Sequence, residues 1–220
     1  AHATEPWFFS ERNDLGRSPG MKAAIGSALD QASTNVDGID FLDLYSCFPS
    51  AVRLAARELG YDALEDPREP TVTGGLAFAG GPGNAYVLQS IAAMVERLRE
   101  RPTSKGLVTA VGWYMTKLAA GVYGVEPPVE AFVEAVSHPE PPAARDVVPV
   151  DWSGDAIAET ATVIYQRDGS PSYAILTALL ADGRRALRST DDPAVIASLP
   201  DGPVTGLAVR MTAGTGFRLR

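Results

Sequence analysis

The sequence has very few of the residues that bind metals or form disulfides. Its 220 residues include one cysteine, Cys47, and two histidines, His2 and His138. A single cysteine excludes an internal disulfide, and with two histidines it offers too few ligands for a structural zinc site. We therefore expect no metal and no permanently bound cofactor. A lone cysteine is more often a small buried hydrophobe than a nucleophile, and its use here is typical of the reducing cytoplasm.

Long apolar runs and a basic balance are also missing. No apolar run reaches the roughly 18 residues that a membrane-spanning helix needs, and no secretory signal is visible. Lys and Arg number 19 against 27 Asp and Glu, which gives a formal net charge of −8. An acidic balance argues against nucleic acid or an anionic membrane as partner. With 45% hydrophobic residues, the chain can fill the core of one full domain and a smaller one.

Residues 1–125 alternate between helical and strand patterns. Apolar side chains recur at helical spacing after Ser18-Pro19, between Pro49 and Gly60, and over 84–100. Short apolar runs predict strands at 39–45, 71–75, 106–114 and 117–125. The pattern predicts an α/β layered domain with a mixed, mainly parallel sheet.

The pattern changes after a segment rich in proline. Residues 126–150 hold six prolines, at 127, 128, 139, 141, 142 and 149, and are predicted to form a linker. From residue 151 onward, alternating β-type runs are interrupted by Asp168-Gly169 and Asp182-Gly183, which predict hairpin turns. A short helix is expected at about 191–199. We predict that 151–220 form a small all-β barrel of five strands, of the oligonucleotide/oligosaccharide-binding (OB-like) type.

Residues 73–86, TGGLAFAGGPGNAY, form a loop rich in glycine before the predicted helix at 84–100. Glycine lets the backbone approach a ligand closely. The N-terminus of the helix would point free N–H groups at a polarised oxygen. The segment matches neither the dinucleotide-binding nor the phosphate-loop signature. It is therefore either a ligand-binding loop of another kind or only a turn.

Three segments in order carry a family resemblance: LDLYSCFPSAV at 42–52, TGGLAFAGGPGN at 73–84 and GLVTAVGWY at 106–114. Together they resemble the C-terminal half of the thiolase superfamily, most closely its sterol-carrier-protein-type and thiolase-like acetyl-CoA acetyltransferase members. The resemblance covers about 1–125 and implies a thiolase-like fold, a coenzyme A thioester as substrate or ligand, and a role in lipid metabolism. The segment after the linker is similar to the extra C-terminal β-domain of actinobacterial thiolase-like proteins.

The resemblance also implies roles for loop residues. Tyr45 begins the loop that corresponds to the family's Asn-Glu-Ala-Phe motif. Gly81 replaces the histidine that polarises the thioester oxygen, and Ala110 replaces the cysteine that moves the proton, so ordinary thiolase chemistry is not expected. Substrate-binding positions implied in this way are Ser46, Phe48, Gly80, Gly81, Pro82, Asn84, Ala110 and Gly112. Asn84 has a second interpretation as the cap of the following helix.

Tyr45 and Tyr114 are the candidate catalytic residues, because they flank the positions of the lost histidine and cysteine. Tyrosine can act as a general acid or base, although a buried tyrosine more often serves packing. We expect His2 to be structural. Lys117 and Arg97 are candidates for contacts with the phosphates of coenzyme A, or solvated surface charges.

Three functions remain open. The first is an acyl-CoA binding protein or acyltransferase of the thiolase superfamily. The second is a thiolase-like carbon–carbon lyase that works with tyrosines, and the third is a non-enzymatic acyl-CoA binding protein. The family's nucleophile lies in the N-terminal half, so we expect a partner half on the same or another polypeptide, and consider a homo-oligomer. Residues 1–6 resemble the end of a strand from the middle of the family's sheet. We therefore expect either a fragment or a chain completed by another polypeptide. In both cases we expect a gap in the sheet, and a purified chain that is not an active thiolase.

Overall fold

The computed structural model of the protein describes residues 1–62, 65–128, 131–137, 144–214 and 216–220. The chain divides into two compact units. The first comprises Ala1–Phe9 and Asp14–Pro142, and the second comprises Ser10–Asn13 and Ala143–Arg220. His138 and the predicted linker prolines at 139, 141 and 142 lie outside the described residues.

The first unit alternates helices and short strands, as its sequence pattern predicts. Its helices are α1 (Pro19–Gln31), α2 (Pro49–Leu59), α3 (Leu76–Ala79) and α4 (Tyr86–Glu100). Its strands are β1 (His2–Thr4), β2 (Phe41–Asp43), β3 (Gly106–Gly112), β4 (Lys117–Tyr123) and β5 (Val136–Ser137). A 3₁₀ turn at Gly83–Ala85 leads directly into α4.

The five strands form one mixed sheet in the order β2-β3-β4-β1-β5. β2 is parallel to β3 and β1 to β5, whereas β4 is antiparallel to both of its neighbours. The prediction of a mainly parallel sheet is therefore wrong, because a tight turn joins β3 to β4 and a tight turn forces antiparallel pairing. The strand predicted at 71–75 is also wrong. The segment makes only one β-bridge among the described residues, between Asp43 and Thr71. Gly74 and Gly75 are not extended, because their φ angles are 78° and 83°.

β1 lies inside this sheet, between β4 and β5. His2 is paired with Ala119 on one side and with Val136 on the other. The expected gap with unpaired neighbours is therefore wrong for this chain. β5 comes from the segment that was predicted to be a linker, and a strand of two residues is too short to leave a periodic pattern in the sequence.

The helix ends follow local signals. The Ser18 hydroxyl accepts a hydrogen bond from the Met21 N–H at 3.3 Å, so the predicted N-cap of α1 is confirmed. Gly60 ends α2 with a left-handed φ of 91°, as expected of a glycine after a helix. Asn84 does not cap α4, because the helix begins at Tyr86 and no side chain caps it.

The helices cover both faces of the sheet. A core cluster joins α1 and α2 to the strands and includes Met21 and Leu107. A second cluster joins Met94 and Leu98 of α4 to Val108. Since neighbouring residues of a strand point to opposite faces, Leu107 and Val108 place α1 and α4 on opposite sides of the sheet.

Two glycines of this unit are expected to respond in opposite ways to alanine. A Cβ at Gly106 would lie 2.0 Å from the Met94 sulfur, and Met94 is fully buried. Gly106→Ala should therefore destabilise the protein by about 1–3 kcal/mol. A Cβ at Gly26 within α1 meets nothing within 4 Å, so Gly26→Ala should stabilise it by about 0.5–1 kcal/mol. Urea titrations of both variants test this, and a shift of the same sign for the two would contradict the packing described here.

The second unit is an antiparallel sheet with one short helix, as its alternating pattern predicts. Its elements are β6 (Gly154–Tyr165), β7 (Pro171–Leu179), β8 (Arg185–Thr190), α5 (Pro193–Ala197), β9 (Ala208–Met211) and β10 (Phe217–Leu219). Gly169 and Gly183 have φ of 84° and 86° in the turns before β7 and β8. Both turns predicted from Asp-Gly pairs are therefore confirmed.

The OB-like barrel predicted for this unit is not confirmed. The strand order is β10-β9-β6-β7-β8, and β10 and β8 are the edges of an open sheet among the described residues. A period of two predicts that each strand buries one face, but closure depends on strand tilt and stagger. That information is absent from the hydrophobic pattern.

None of the helices in the described ranges is both long and apolar enough to cross a membrane.

Candidate functional site

A cavity of about 350 Å³ lies in the first unit. Its walls come from β1, the C-terminal end of β3, the N-terminal end of β4, the turn before α4 and the residue Tyr45. Val108 of β3 packs against α4, and Ala110 and Gly112 are two and four residues further along the strand, so all three lie on the same face of the sheet. The cavity therefore lies on the α4 side of the sheet.

The cavity brings together part of the set predicted from sequence. The predicted residues that line it are Tyr45, Asn84, Ala110 and Gly112. Those that do not line it are Ser46, Phe48, Gly80, Gly81, Pro82 and Tyr114. All three resembling segments therefore contribute to one cavity, with one, two and three residues in chain order.

Two rows of side chains form the strand side of the cavity. Strand pairing aligns His2 with Ala119 and Ala119 with Ala110. The next row on the same face contains Thr4, Lys117 and Gly112. Sequence analysis missed His2 as a cavity residue, because the register of β1 against β4 creates these rows and no motif records it.

Tyr45 follows β2 and places its phenol at the cavity. Its backbone N–H donates to the Thr109 hydroxyl at 2.9 Å. Its ring packs edge-on against Tyr86, with ring centroids 5.6 Å apart. Burial, with smaller contributions from Cys47 and Tyr86, raises the pKa of the Tyr45 phenol above its usual value. The hydroxyl therefore keeps its proton at neutral pH and can donate a hydrogen bond.

A buried polar chain supports Tyr45 from behind. The Thr73 hydroxyl donates to the Asp43 carboxylate at 2.9 Å and lies 2.8 Å from the Tyr86 hydroxyl. Since the single hydroxyl proton of Thr73 goes to the carboxylate, Tyr86 is the donor in the second bond. Asp43 and Tyr86 are buried, so this chain fixes the ring against which Tyr45 packs.

The glycine-rich loop contributes less to the cavity than predicted. The Ser46 hydroxyl accepts from the Leu76 N–H at 3.1 Å, and a Cβ at Gly75 would lie 2.9 Å from that hydroxyl. Ser46 therefore supports the loop from outside the cavity. Gly83, with a φ of 59°, is the loop glycine that lines the cavity. A Cβ at Gly81 would be in ordinary contact with Leu76 at 3.5 Å.

The turn between β3 and β4 carries exposed aromatic side chains beside the cavity. Trp113 and Met115 adopt left-handed φ of 56° and 59°, an unusual conformation for large residues. Trp113 lies with its ring centroid 5.4 Å from that of Trp7. Tyr114, like Phe48, is exposed, and both side chains lie outside the cavity.

The remaining candidate groups are divided between the cavity and the surface. Burial raises the pKa of the Cys47 thiol, which disfavours the reactive thiolate. Lys117 lines the cavity. Arg97 lies near the end of α4, 4.0 Å from Glu100.

Within the described residues, no group of three or more His, Cys, Asp or Glu side chains could hold a metal ion.

Comparisons with known proteins give matches to a family model and to a solved structure. Residues 132–214 match the family model of the thiolase-like protein type 1 additional C-terminal domain. Among solved structures, the chain matches a monomeric SCP2-thiolase like protein type 1 from Mycobacterium smegmatis with 33% sequence identity and a TM-score of 0.85. The match covers 100% of this chain and 49% of that one, so the chain spans about half the length of that protein. No curated protein sequence matches the chain.

Proposed function

We propose that the chain binds an acyl-CoA thioester, because it resembles an SCP2-thiolase like protein over its whole length and residues 132–214 match the type 1 additional C-terminal domain. The acyl and thioester end would occupy the cavity on the α4 side of the first unit's sheet. The cavity that would hold the acyl group is formed by this chain itself, and an N-terminal thiolase half, on the same or another polypeptide, is the partner proposed to supply the nucleophile. Any acyl transfer would depend on a nucleophile supplied by that partner.

One observation carries this proposal: three segments from separate parts of the sequence meet at a single cavity. They contribute Tyr45, Gly83 with Asn84, and 110–112. The Tyr45 hydroxyl and the Asn84 amide are hydrogen-bond donors for a thioester oxygen. Val87, Ala110 and Ala119 offer apolar surface to a short acyl chain.

The size of the cavity favours the thioester end over the nucleotide. Its volume is about 350 Å³, near the lower limit of small-molecule sites at about 300–1,000 Å³. The nucleotide of coenzyme A would then lie outside the cavity. Thiolysis is not proposed for this chain. Ala110 and Gly81 offer no proton or nucleophile, and loss of one oxyanion donor alone costs about 10²–10³ in rate.

Calorimetric titration with acetyl-CoA and with free coenzyme A tests the proposal. We expect Tyr45→Phe to weaken acetyl-CoA binding by about tenfold, because one net hydrogen bond contributes about 0.5–1.5 kcal/mol. Tyr114→Phe, whose hydroxyl lies outside the cavity, should bind like wild type. No binding of acetyl-CoA by the wild-type chain would refute the proposal. An equal loss of acetyl-CoA affinity in both variants would indicate that the thioester binds at the β3–β4 turn instead.

A second function, carbon–carbon lyase, is favoured by the protonated Tyr45 phenol in the cavity. In a retro-aldol cleavage of a β-hydroxyacyl-CoA, the bond between the α- and β-carbons breaks. The β-hydroxyl loses its proton, and the α-carbon gains one from an acid such as Tyr45. The products would be an aldehyde or ketone and a shortened acyl-CoA. Their appearance in a wild-type incubation, and their loss with Tyr45→Phe, would favour the lyase over simple binding.

A further inference from the structure

We propose that His2, oriented by Glu134, is the base of the cavity and removes a proton from the α-carbon of the bound acyl thioester. This inference rests on the proposed acyl-CoA binding function. In the resembling family a cysteine at the position of Ala110 moves the proton. Alanine cannot do this, and His2 of β1 would take over that proton transfer.

The position of His2 follows from the sheet. β1 is an inner strand, and His2 is opposite Ala119, which is opposite Ala110. Residues aligned across strands point to the same face, so His2 and Ala110 face the cavity from the two ends of one row. Two interstrand spacings of about 4.8 Å separate their backbones. Ala119 between them has too small a side chain to fill that interval.

The chemistry of the lining points to His2 by elimination. The titratable side chains that line the cavity, among the described residues, are His2, Tyr45 and Lys117. Tyr45 retains its proton because burial raises its pKa. A lysine ammonium has three donors and no acceptor. A neutral imidazole has one nitrogen with a free lone pair and therefore can accept the proton.

Glu134 lies close to one of the two imidazole nitrogens of His2 and favours a proton on it. The His2 Nε2 atom lies 3.2 Å from the Glu134 Oε1 atom. The atom Nε2 is buried and has no well-aligned hydrogen bond to a described group, so the contact is close but not ideally directed. A carboxylate at this distance favours the tautomer with its proton on Nε2. Nδ1 is then the atom with the free lone pair.

The groups around His2 suit the charge that the reaction develops. Glu134 approaches from the segment that leads into β5, and Lys117 lies in the neighbouring row of β4. An imidazolium formed on His2 would be stabilised by the Glu134 carboxylate. The negative charge on the enolate oxygen would be stabilised by Lys117 and by the donors of Asn84 and Tyr45.

The step is a reversible proton transfer that needs no co-reactant. The bond between the α-carbon and hydrogen breaks, its electron pair forms the carbon–carbon double bond of the enolate, and the thioester oxygen takes the negative charge. The proton forms a bond with Nδ1 of His2. When no electrophile is present, a solvent-derived proton returns to the carbon. In heavy water the net result is replacement of α-hydrogen by deuterium.

Mass spectrometry of acetyl-CoA incubated with the 220-residue chain in heavy water tests this inference. We expect deuterium to enter the acetyl group faster than in buffer alone. His2→Gln should reduce the protein-dependent rate at least about 100-fold, as expected for loss of a general base. Glu100→Gln, which changes an exposed residue of α4 that does not line the cavity, is the control and should exchange like wild type. Glu134→Gln should reduce the rate less than His2→Gln does.

Two further measurements separate a base from a structural role. Imidazole added to His2→Gly should restore part of the exchange, which a purely structural residue would not allow. Calorimetry should show that His2→Gln still binds acetyl-CoA. Wild-type binding without exchange, or exchange that persists in His2→Gln, would overturn this inference alone. No wild-type binding at all would overturn the proposed function together with it.

Discussion

Replacement of Arg185 by methionine is expected to lower the free energy of unfolding of the second unit by about 3–5 kcal/mol, the usual cost of breaking a buried ion pair from one side. The Arg185 guanidinium is fully buried and donates to both carboxylate oxygens of Glu159 at 2.7 Å. It also donates to the carbonyls of Ser10 and Arg12. Methionine fills similar space but leaves the Glu159 carboxylate without this partner and two carbonyls without this donor. The segment Ser10–Asn13 should lose its attachment to the unit first.

Amide hydrogen exchange of peptides from β6 and β7 measures this effect. A loss of about 3–5 kcal/mol corresponds to a decrease in protection of about 10²–10³-fold or more, at 1.4 kcal/mol for each factor of ten. Arg184→Met provides a matched control at the neighbouring position. Arg184 forms an exposed ion pair with Asp182 at 2.8 Å, and such pairs contribute about 0–1 kcal/mol. Equal effects of the two substitutions would mean that burial does not determine the role of Arg185.

The sequence predicts local elements of this fold better than their assembly. Ser18 with its following proline and the left-handed Gly60 mark helix ends through bonds and dihedral angles that are local to the chain. Gly169 and Gly183 mark hairpin turns in the same way. The interior role of Arg185 was not predictable, because two adjacent arginines at the start of a strand resemble a solvated turn. Its partners Ser10 and Arg12 are more than 170 residues away in sequence.

Assembly of the sheets depended on information that periodicity does not contain. β1, β2 and β5 have two or three residues each, and strands of that length give no reliable alternation. Their order and direction come from backbone pairing across long separations. Closure of the second sheet into a barrel was predicted from alternating runs, turn signals and the number of strands, and none of these determines stagger.

Some residues of the candidate site could be predicted from the sequence, whereas others depend on how the strands pair. The family resemblance identified Tyr45, Asn84, Ala110 and Gly112 because these residues lie in segments with recognisable local sequences. His2 was expected to be structural and was not identified as a cavity residue, because its place in the cavity depends on the register of β1 with β4. The resemblance also selected residues, such as Ser46, whose side chains support a loop without lining the cavity.

The last expected result concerns the strand side of the cavity. Ala119→Trp should reduce the affinity for acetyl-CoA by at least about 100-fold, or about 2.8 kcal/mol. Ala119 lies between His2 and Ala110 in the row that faces the cavity. An indole covers about 150–250 Å², so it would occupy the place proposed for the acyl group. Ala119→Val should have an intermediate effect, since it fills only part of that space.

Ala92→Trp is the matched control, because Ala92 is exposed on α4 and does not line the cavity. Circular dichroism of each variant establishes that the fold is retained before calorimetry is done. Persistent binding in Ala119→Trp would contradict the cavity as the acyl site. If Trp113→Ala then abolished binding, the ligand would lie against the exposed Trp7 and Trp113 rings. The graded series at Ala119 therefore distinguishes a ligand enclosed by the strands from one that rests on the β3–β4 turn.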